Sequence, residues 1–238
     1  MKKYISVALL IVCISMQAQQ KDSIRISEGD SIYLPKLTGE AYYEFVQYAG
    51  EQFFNKEWVK GDILLSGGTM LYNKQLKYNG FLDELIWMNL SNYKKYKLDK
   101  SSISEFWLKL NGTDRLHFKR INVSNEDEQI PDIFAEVKTE GKYSFYIQHK
   151  IKVVGEQDYY LNNRPYLLKT IAYRPIYYIK TPTNRCIPFS KFNKGLIVKA
   201  LPEIKKEIPK LAKNNKLDFK TSDDIKKLIE LLNQQPGI

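Results

Sequence analysis

Between Glu57 and Asn89 the chain breaks short runs of apolar, aromatic and β-branched residues with glycine and asparagine bends, which confines it to strands joined by tight turns. Gly61-Asp-Ile-Leu-Leu65 reads as a strand, Ser66-Gly-Gly-Thr69 as a turn whose glycines accept positive φ, and Met70 to Tyr78 as the returning strand. Asn79-Gly80 marks a second turn and Asp83 to Asn89 a third strand, so a three-stranded meander is expected. Further strand candidates are Tyr96 to Leu98, Ile103 to Leu110 after the turn at Asp99 to Ser102, and Arg115 to Ile121 after Asn111-Gly112. Such spacing predicts an antiparallel sheet that curls or closes into a roll or barrel, and it excludes alternating βαβ units.

An acidic loop, Ser124 to Gln129, interrupts the series. Lys142 to Val154 then shows the cleanest alternation, with Tyr143, Phe145, Ile147, His149, Ile151 and Val153 on one face and Ser144, Gln148, Lys150 and Lys152 opposite. Tyr146 is the apolar exception on the wet face. A second aromatic cluster (Tyr159-Tyr160, Tyr166, Tyr173 and Ile176 to Ile179) is divided by Pro165, Pro175 and Pro182, which confine strands to edges or short pieces. From Ser190 the period becomes helical. Ser190 is a candidate cap for a helix through Ala200, and Pro202 for the first turn of a helix over Glu203 to Asn214, flawed by Pro209. Thr221-Ser-Asp-Asp224 forms a capping-box-like start for Ile225 to Asn233. These helices cannot bury a core alone and are expected to pack on the sheet. The expected class is α+β and β-dominated, ending in two or three helices. Residues 19–39 form a flexible leader or an edge strand, and 40–238 one domain with a helical portion over 190–235.

The first eighteen residues have the form of a signal peptide. Lys2 and Lys3 precede an apolar stretch from Ile5 to Met16, and Ala18 stands before Gln19-Gln20. That stretch is shorter than the roughly 20 residues a membrane span requires. Cleavage at this polar flank is favoured over an anchor that stays on. Cys13 raises the alternative of a lipidated N-terminus, against which Leu10-Ile11-Val12 lacks the small residue expected before a lipidated cysteine. With Cys13 removed, Cys186 is the only cysteine and no intrachain disulfide can form. The expectation is an exported chain without a transmembrane span, in the periplasm, at the outer membrane or outside the cell.

Lysine and arginine number 37 against 27 aspartates and glutamates, for a net charge of +10. After export such a surplus meets envelope polymers or lipid headgroups. Nucleic acid is not expected, because no arginine-rich, glycine-interleaved tract is present. A lysine-rich solvated surface is the plainer explanation of the same charge.

Catalytic signatures are sparse. His117 and His149 lack the short-range spacing of a metal site, and His149 falls on the apolar side of its strand, where a core histidine bonded to a backbone carbonyl is the commoner fate. The sequence contains neither G-x-S-x-G nor a phosphate-binding glycine loop. Cys186 lies in the extended Arg185-Cys-Ile-Pro188, which favours an inert, half-buried thiol over a nucleophile. Asp83-Glu84 and Asp223-Asp224 sit at a turn and at a helix start, both places that attract acids structurally. No metal, cofactor or catalytic residue is therefore assigned, and enzymatic activity is disfavoured.

Aromatic content is the one excess, with 17 tyrosines and three tryptophans. Tyrosines beside lysines, in Tyr93-Lys-Lys-Tyr96-Lys97 and in Tyr177 to Lys180, can stack on sugar rings or receive an anionic polymer. Tyr93, Tyr96, Lys97, Tyr177 and Lys180 are therefore the candidate ligand-binding residues. Against this stands the ordinary use of tyrosine as a strand residue with a polar tip, which is the commoner one.

Taken together, the signal peptide ending in Ala18-Gln19, the phrase Trp58-Val-Lys-Gly-Asp-Ile-Leu-Leu-Ser-Gly-Gly-Thr69, the step from Leu76-Lys-Tyr-Asn79 to Asp83-Glu-Leu85, and Leu217-Asp-Phe219 with Asp223-Asp-Ile225 resemble a group of secreted β-rich proteins of Bacteroidetes bacteria with no assigned activity. The resemblance implies a sheet, a short helical end and a Gram-negative envelope location. It brings no functional residue with it. The leading expectation is a non-catalytic periplasmic or cell-envelope protein that binds a protein partner or an anionic or glycan polymer. The rival is an envelope hydrolase with a dispersed active site.

Overall fold

The computed structural model describes residues 37, 39–44, 48–110, 115–124, 129–161 and 164–235. The expected signal peptide, nearly all of the leader and the Asn111-Gly112 turn lie outside the described residues. Fourteen strands are described: β1 Gly39–Ala41, β2 Tyr48–Ala49, β3 Val59–Leu65, β4 Met70–Asn79, β5 Glu84–Asn89, β6 Lys94–Leu98, β7 Ile103–Lys109, β8 Arg115–Ile121, β9 Ile133–Thr139, β10 Ser144–Gln148, β11 Ile151–Leu161, β12 Arg164–Tyr173, β13 Ile176–Lys180 and β14 Cys186–Phe189. Helices α1 Lys194–Ala200, α2 Glu207–Asn215 and α3 Ser222–Gln234 follow.

Eleven strands form one antiparallel sheet in the order β1-β6-β5-β4-β3-β7-β8-β9-β10-β13-β14. The expected meander is β3-β4-β5, with Gly68 at φ 86° in its first turn. In its second turn the Asn79 side chain accepts from the Phe81 and Leu82 amides at 3.0 Å each. The expected curling or closure does not occur. The sheet is open, and its edges are β1, of three residues, and β14, which carries Pro188. Closure would bury the apolar face of the last strands against the first. The helices cover that face instead.

Phe145 and Ile147 of β10 and Ile179 of β13 share a core with Ile208 and Ala212 of α2 and Ile225, Leu228, Ile229 and Leu232 of α3. Those four α3 residues follow helical spacing and have no exposed surface, which is worth roughly 1.5–3 kcal/mol each. The predicted capping box at Thr221 starts α3. Pro209 falls in the first turn of α2, where its missing N–H costs nothing. Ser190 does not cap α1. Strand β14 continues to Phe189, and Asn193 takes the cap by accepting from the amides of Gly195 and Leu196.

A second core on β3 to β9 gathers Leu76, Tyr78, Leu85, Phe106, Phe118 and Phe134. A third, on the helix-free face of the final strands, holds Ile121, Ile133, Ala135, Tyr146, Tyr178 and Cys186. Tyr146, expected on a wet face, is therefore buried, because β10 is covered on both sides.

The alternation from Lys142 to Val154 is not one strand. It divides at His149-Lys150 into β10, in the large sheet, and β11, in a three-stranded sheet ordered β11-β12-β2. Period-two patterning runs unbroken through this junction, so it cannot reveal that the strand changes sheets. Beyond Ile151 the β11–β12 hairpin is largely exposed, including Val154, Tyr159, Tyr160, Tyr166 and Leu167. Strand β9 was not expected from the sequence at all.

Candidate functional site

In the β10–β13 ladder Ser144 faces Lys180 and Tyr146 faces Tyr178, and in β8–β9 Lys119 faces Ala135 and Ile121 faces Ile133. Cross-strand partners share a face, so these residues project from the helix-free side of the sheet. There they line a groove of about 780 Å³, floored by Ile121, Ser144 and Tyr146 and bordered by Lys119, Lys142 and Lys180. The β9–β10 turn and the turn after β13, with Pro182 and Asn184, make its walls.

The first wall is held from the helical side. Asn233 of α3 accepts the Tyr143 amide at 2.8 Å and donates to the Tyr143 carbonyl at 2.9 Å. A β-carbon at Gly141 would press on the Asn233 side-chain amide and displace it. The second wall is pinned by Thr181, whose amide donates to the Arg185 carbonyl at 3.0 Å.

Three lysines, Lys119, Lys142 and Lys180, thus line the groove with one carboxylate, Glu140, while the Arg120 side chain alternates to the other face of β8 and Lys119 also lies 3.9 Å from Glu105. Glu140 is already engaged, by Lys119 Nζ at 2.9 Å and the Tyr146 hydroxyl at 2.8 Å. Burial alone would raise its pKa, but these two hydrogen bonds and the Lys119 charge outweigh burial and hold it below the ordinary carboxylate value. Burial, reinforced by Glu140, pushes the Tyr146 hydroxyl well above its ordinary range, so it stays a neutral donor. Arg120 is oriented by the Lys100 and Ser101 carbonyls and lies 3.6 Å from Asp132. Among the described residues Lys142 and Lys180 have no carboxylate within 4.0 Å. The groove therefore presents unpaired positive charge above an aromatic and hydroxyl floor, a surface suited to anionic groups. A separate cavity of about 600 Å³ shares Lys142 and Pro182 with the groove and is lined also by Tyr143, Arg185, Glu203 and Glu207.

Of the candidates chosen from sequence, only Lys180 lines this groove. Tyr177 projects to the opposite face, where its ring lies 4.4 Å from Phe192 and 5.6 Å from Phe189. Tyr93, Tyr96 and Lys97 stand at β5–β6, with seven strands between β6 and β13. Tyr93 is exposed in the turn, Tyr96 stacks on Trp87 at 5.5 Å, and Lys97 is paired with Glu40 at 3.0 Å and Glu84 at 3.6 Å. The structure does not bring the two groups together. Lys119 and Lys142 went unnoticed because they belong to separate segments, which the strand order brings to one side of the sheet.

A buried polar cluster lies elsewhere. His149 Nε2 is 2.8 Å from Glu136 Oε2, and Nδ1 is 2.7 Å from the Tyr173 hydroxyl. The expected carbonyl partner is replaced by two side chains. Burial first, then the charges of Tyr177 and Glu136, push the Tyr173 hydroxyl up to about 12, the wrong direction for a phenolate nucleophile. The cluster sits where β11 leaves β10 and ties in the base of the hairpin, with Phe54 packed 4.0 Å from the imidazole.

Cys186 is buried and its thiol raised by desolvation, as an inert thiol should be. Among the described residues no group of three or more His, Cys, Asp or Glu side chains could hold a metal, and no helix is long and apolar enough to cross a membrane. Comparison with family models, curated proteins and solved structures finds no match to this chain.

Proposed function

We propose that the chain is an exported, non-catalytic binding protein of the cell envelope that takes an anionic polymer in the groove between β8, β10 and β13. The observation that carries this reading is the charge imbalance of the groove: Lys119, Lys142 and Lys180 against Glu140, the one carboxylate in its lining, which is already paired. The signal-peptide pattern of residues 1–18 and the resemblance to secreted Bacteroidetes proteins support the location. The rival reading, an envelope hydrolase, would draw on Glu136, His149 and Tyr173, and the raised hydroxyl of Tyr173 argues against it.

The test is titration of the full chain with a sulfated dextran of defined length at several salt concentrations. Affinity should fall steeply with salt. The double variant K142E/K180E should lose it by on the order of hundredfold. Binding that ignores both salt and this variant would refute the proposal.

A further inference from the structure

The helices that cover one face of the sheet turn a basic surface away from it. Lys206, Lys210 and Lys213 follow helical spacing, which aligns them along one side of α2, while Ile208 and Ala212 bury the opposite side in the core over β10 and β13. All three lysines are exposed, and so are Lys205 and Lys216 at the two ends of the helix. Among the described residues none of these five has a carboxylate within 4.0 Å. Glu207, the one acid in α2, does not share the spacing of the stripe. Lys206 is also the N-cap residue of α2, where it makes no capping hydrogen bond and its charge opposes the helix dipole, so helix stability does not account for it. Exposed lysines alone would suit any polyanion, but α1 adds an apolar residue. It anchors Ile197 in the same core and leaves Leu196 half exposed, with Lys194 and Lys199 exposed on the same helix. Leu196 is the one large apolar side chain that the described helices leave exposed. A leucine gains nothing from a sulfated or phosphorylated polymer in water, whereas the boundary between headgroups and acyl chains removes it from water.

We propose that the helical layer docks on an anionic lipid surface, with the lysine stripe of α2 on the headgroups and Leu196 at the boundary with the acyl chains. Charge complementarity selects the lipid, since each lysine brought near an anionic leaflet adds attraction, and the leucine selects a membrane over a soluble polymer. The groove opens on the helix-free face of the sheet, so a chain docked by its helices keeps the groove clear of the membrane. The docking holds whatever the groove binds.

Sedimentation of the full chain with phosphatidylcholine vesicles, with and without about one-third phosphatidylglycerol, tests the docking. The anionic vesicles should bind at least about tenfold more tightly, and the difference should fade near about 1 M salt. K206E/K210E/K213E should weaken binding to them on the order of hundredfold while keeping the circular dichroism of the native chain. Leu196→Ser should weaken it by about fivefold and leave sulfated dextran affinity intact. The groove variant K142E/K180E, which changes the opposite face, should alter vesicle affinity by less than about twofold. Equal binding to the two kinds of vesicle, no binding to either, or loss through K142E/K180E and not through the α2 variant would overturn the inference. An α2 variant that loses sulfated dextran and keeps the vesicles would overturn it in favour of a soluble polymer. Dextran titration of the wild-type chain and of K142E/K180E reads the groove separately, so the two proposals fail independently.

Discussion

Lys97 and Lys180 come from nearly the same local sequence, a lysine at the end of a tyrosine-bearing strand, and the fold treats them in opposite ways. At the β5–β6 end the neighbouring strands supply acids. Glu40 on β1 and Glu84 on β5 both reach Lys97, and their hydrogen bonds and charge raise its pKa. At the β10–β13 end the cross-strand neighbours of Lys180 are Ser144 and Cys186, and the nearest loops contribute Lys142 and Asn184. One site is a closed ion-pair network and the other an open cationic surface. Strand register, and not the tyrosine–lysine composition, decides which lysine remains available to a ligand.

The largest effect expected from this contrast is in binding. K142E/K180E should cost on the order of hundredfold in sulfated dextran affinity, whereas K97E should change it by less than about twofold. Stability separates the two ends next. The Tyr78 hydroxyl donates to buried Asp83 at 2.6 Å, and Lys100 Nζ stands 2.7 Å from the same carboxylate. Tyr78→Phe should therefore destabilise by about 1–3 kcal/mol in urea titration while sparing affinity. Asn233→Ala should cost a similar amount but also weaken binding, because Asn233 holds the groove wall at Tyr143.

The smallest effects are in pH dependence and have opposite signs. Glu140 in the groove has a lowered folded pKa, so its contribution is full above the unfolded value near 4.5 and is lost as pH falls through the folded one. Glu84 beside Lys97 is raised, because desolvation outweighs Lys97. Its contribution is full below about 4.5 and is lost as pH rises through the folded value. Between pH 3 and 7, E140Q should flatten the acid-side loss of stability and E84Q should steepen it. Equal shifts from both variants would remove the electrostatic distinction between the two ends.

Much of the sheet was legible because turn chemistry is local. Asn79-Gly80 and Ser66 to Thr69 bend where their residue types demand, and Arg115 to Ile121 is the strand that its pattern predicts. The helical end was legible through Thr221 and the spacing from Ile225 to Leu232. Strand β9 escaped notice because Ala135-Glu136 breaks its apolar pattern, and burial of Glu136 against His149 depends on a partner 13 residues away. Closure was wrongly expected because nothing local records that α2 and α3 would cover β10 and β13. The groove was the least legible feature. Its cations come from β8, the β9–β10 turn and β13, and only the ladder β8-β9-β10-β13 brings them to one face.

Hydrogen exchange of the full chain with and without sulfated dextran tests the central claim most directly. Ligand should slow exchange at residues 119–122, 140–146 and 180–185 and leave 93–97 unchanged. Protection centred on 93–97 or on the β11–β12 hairpin, with the groove unaffected, would contradict the account.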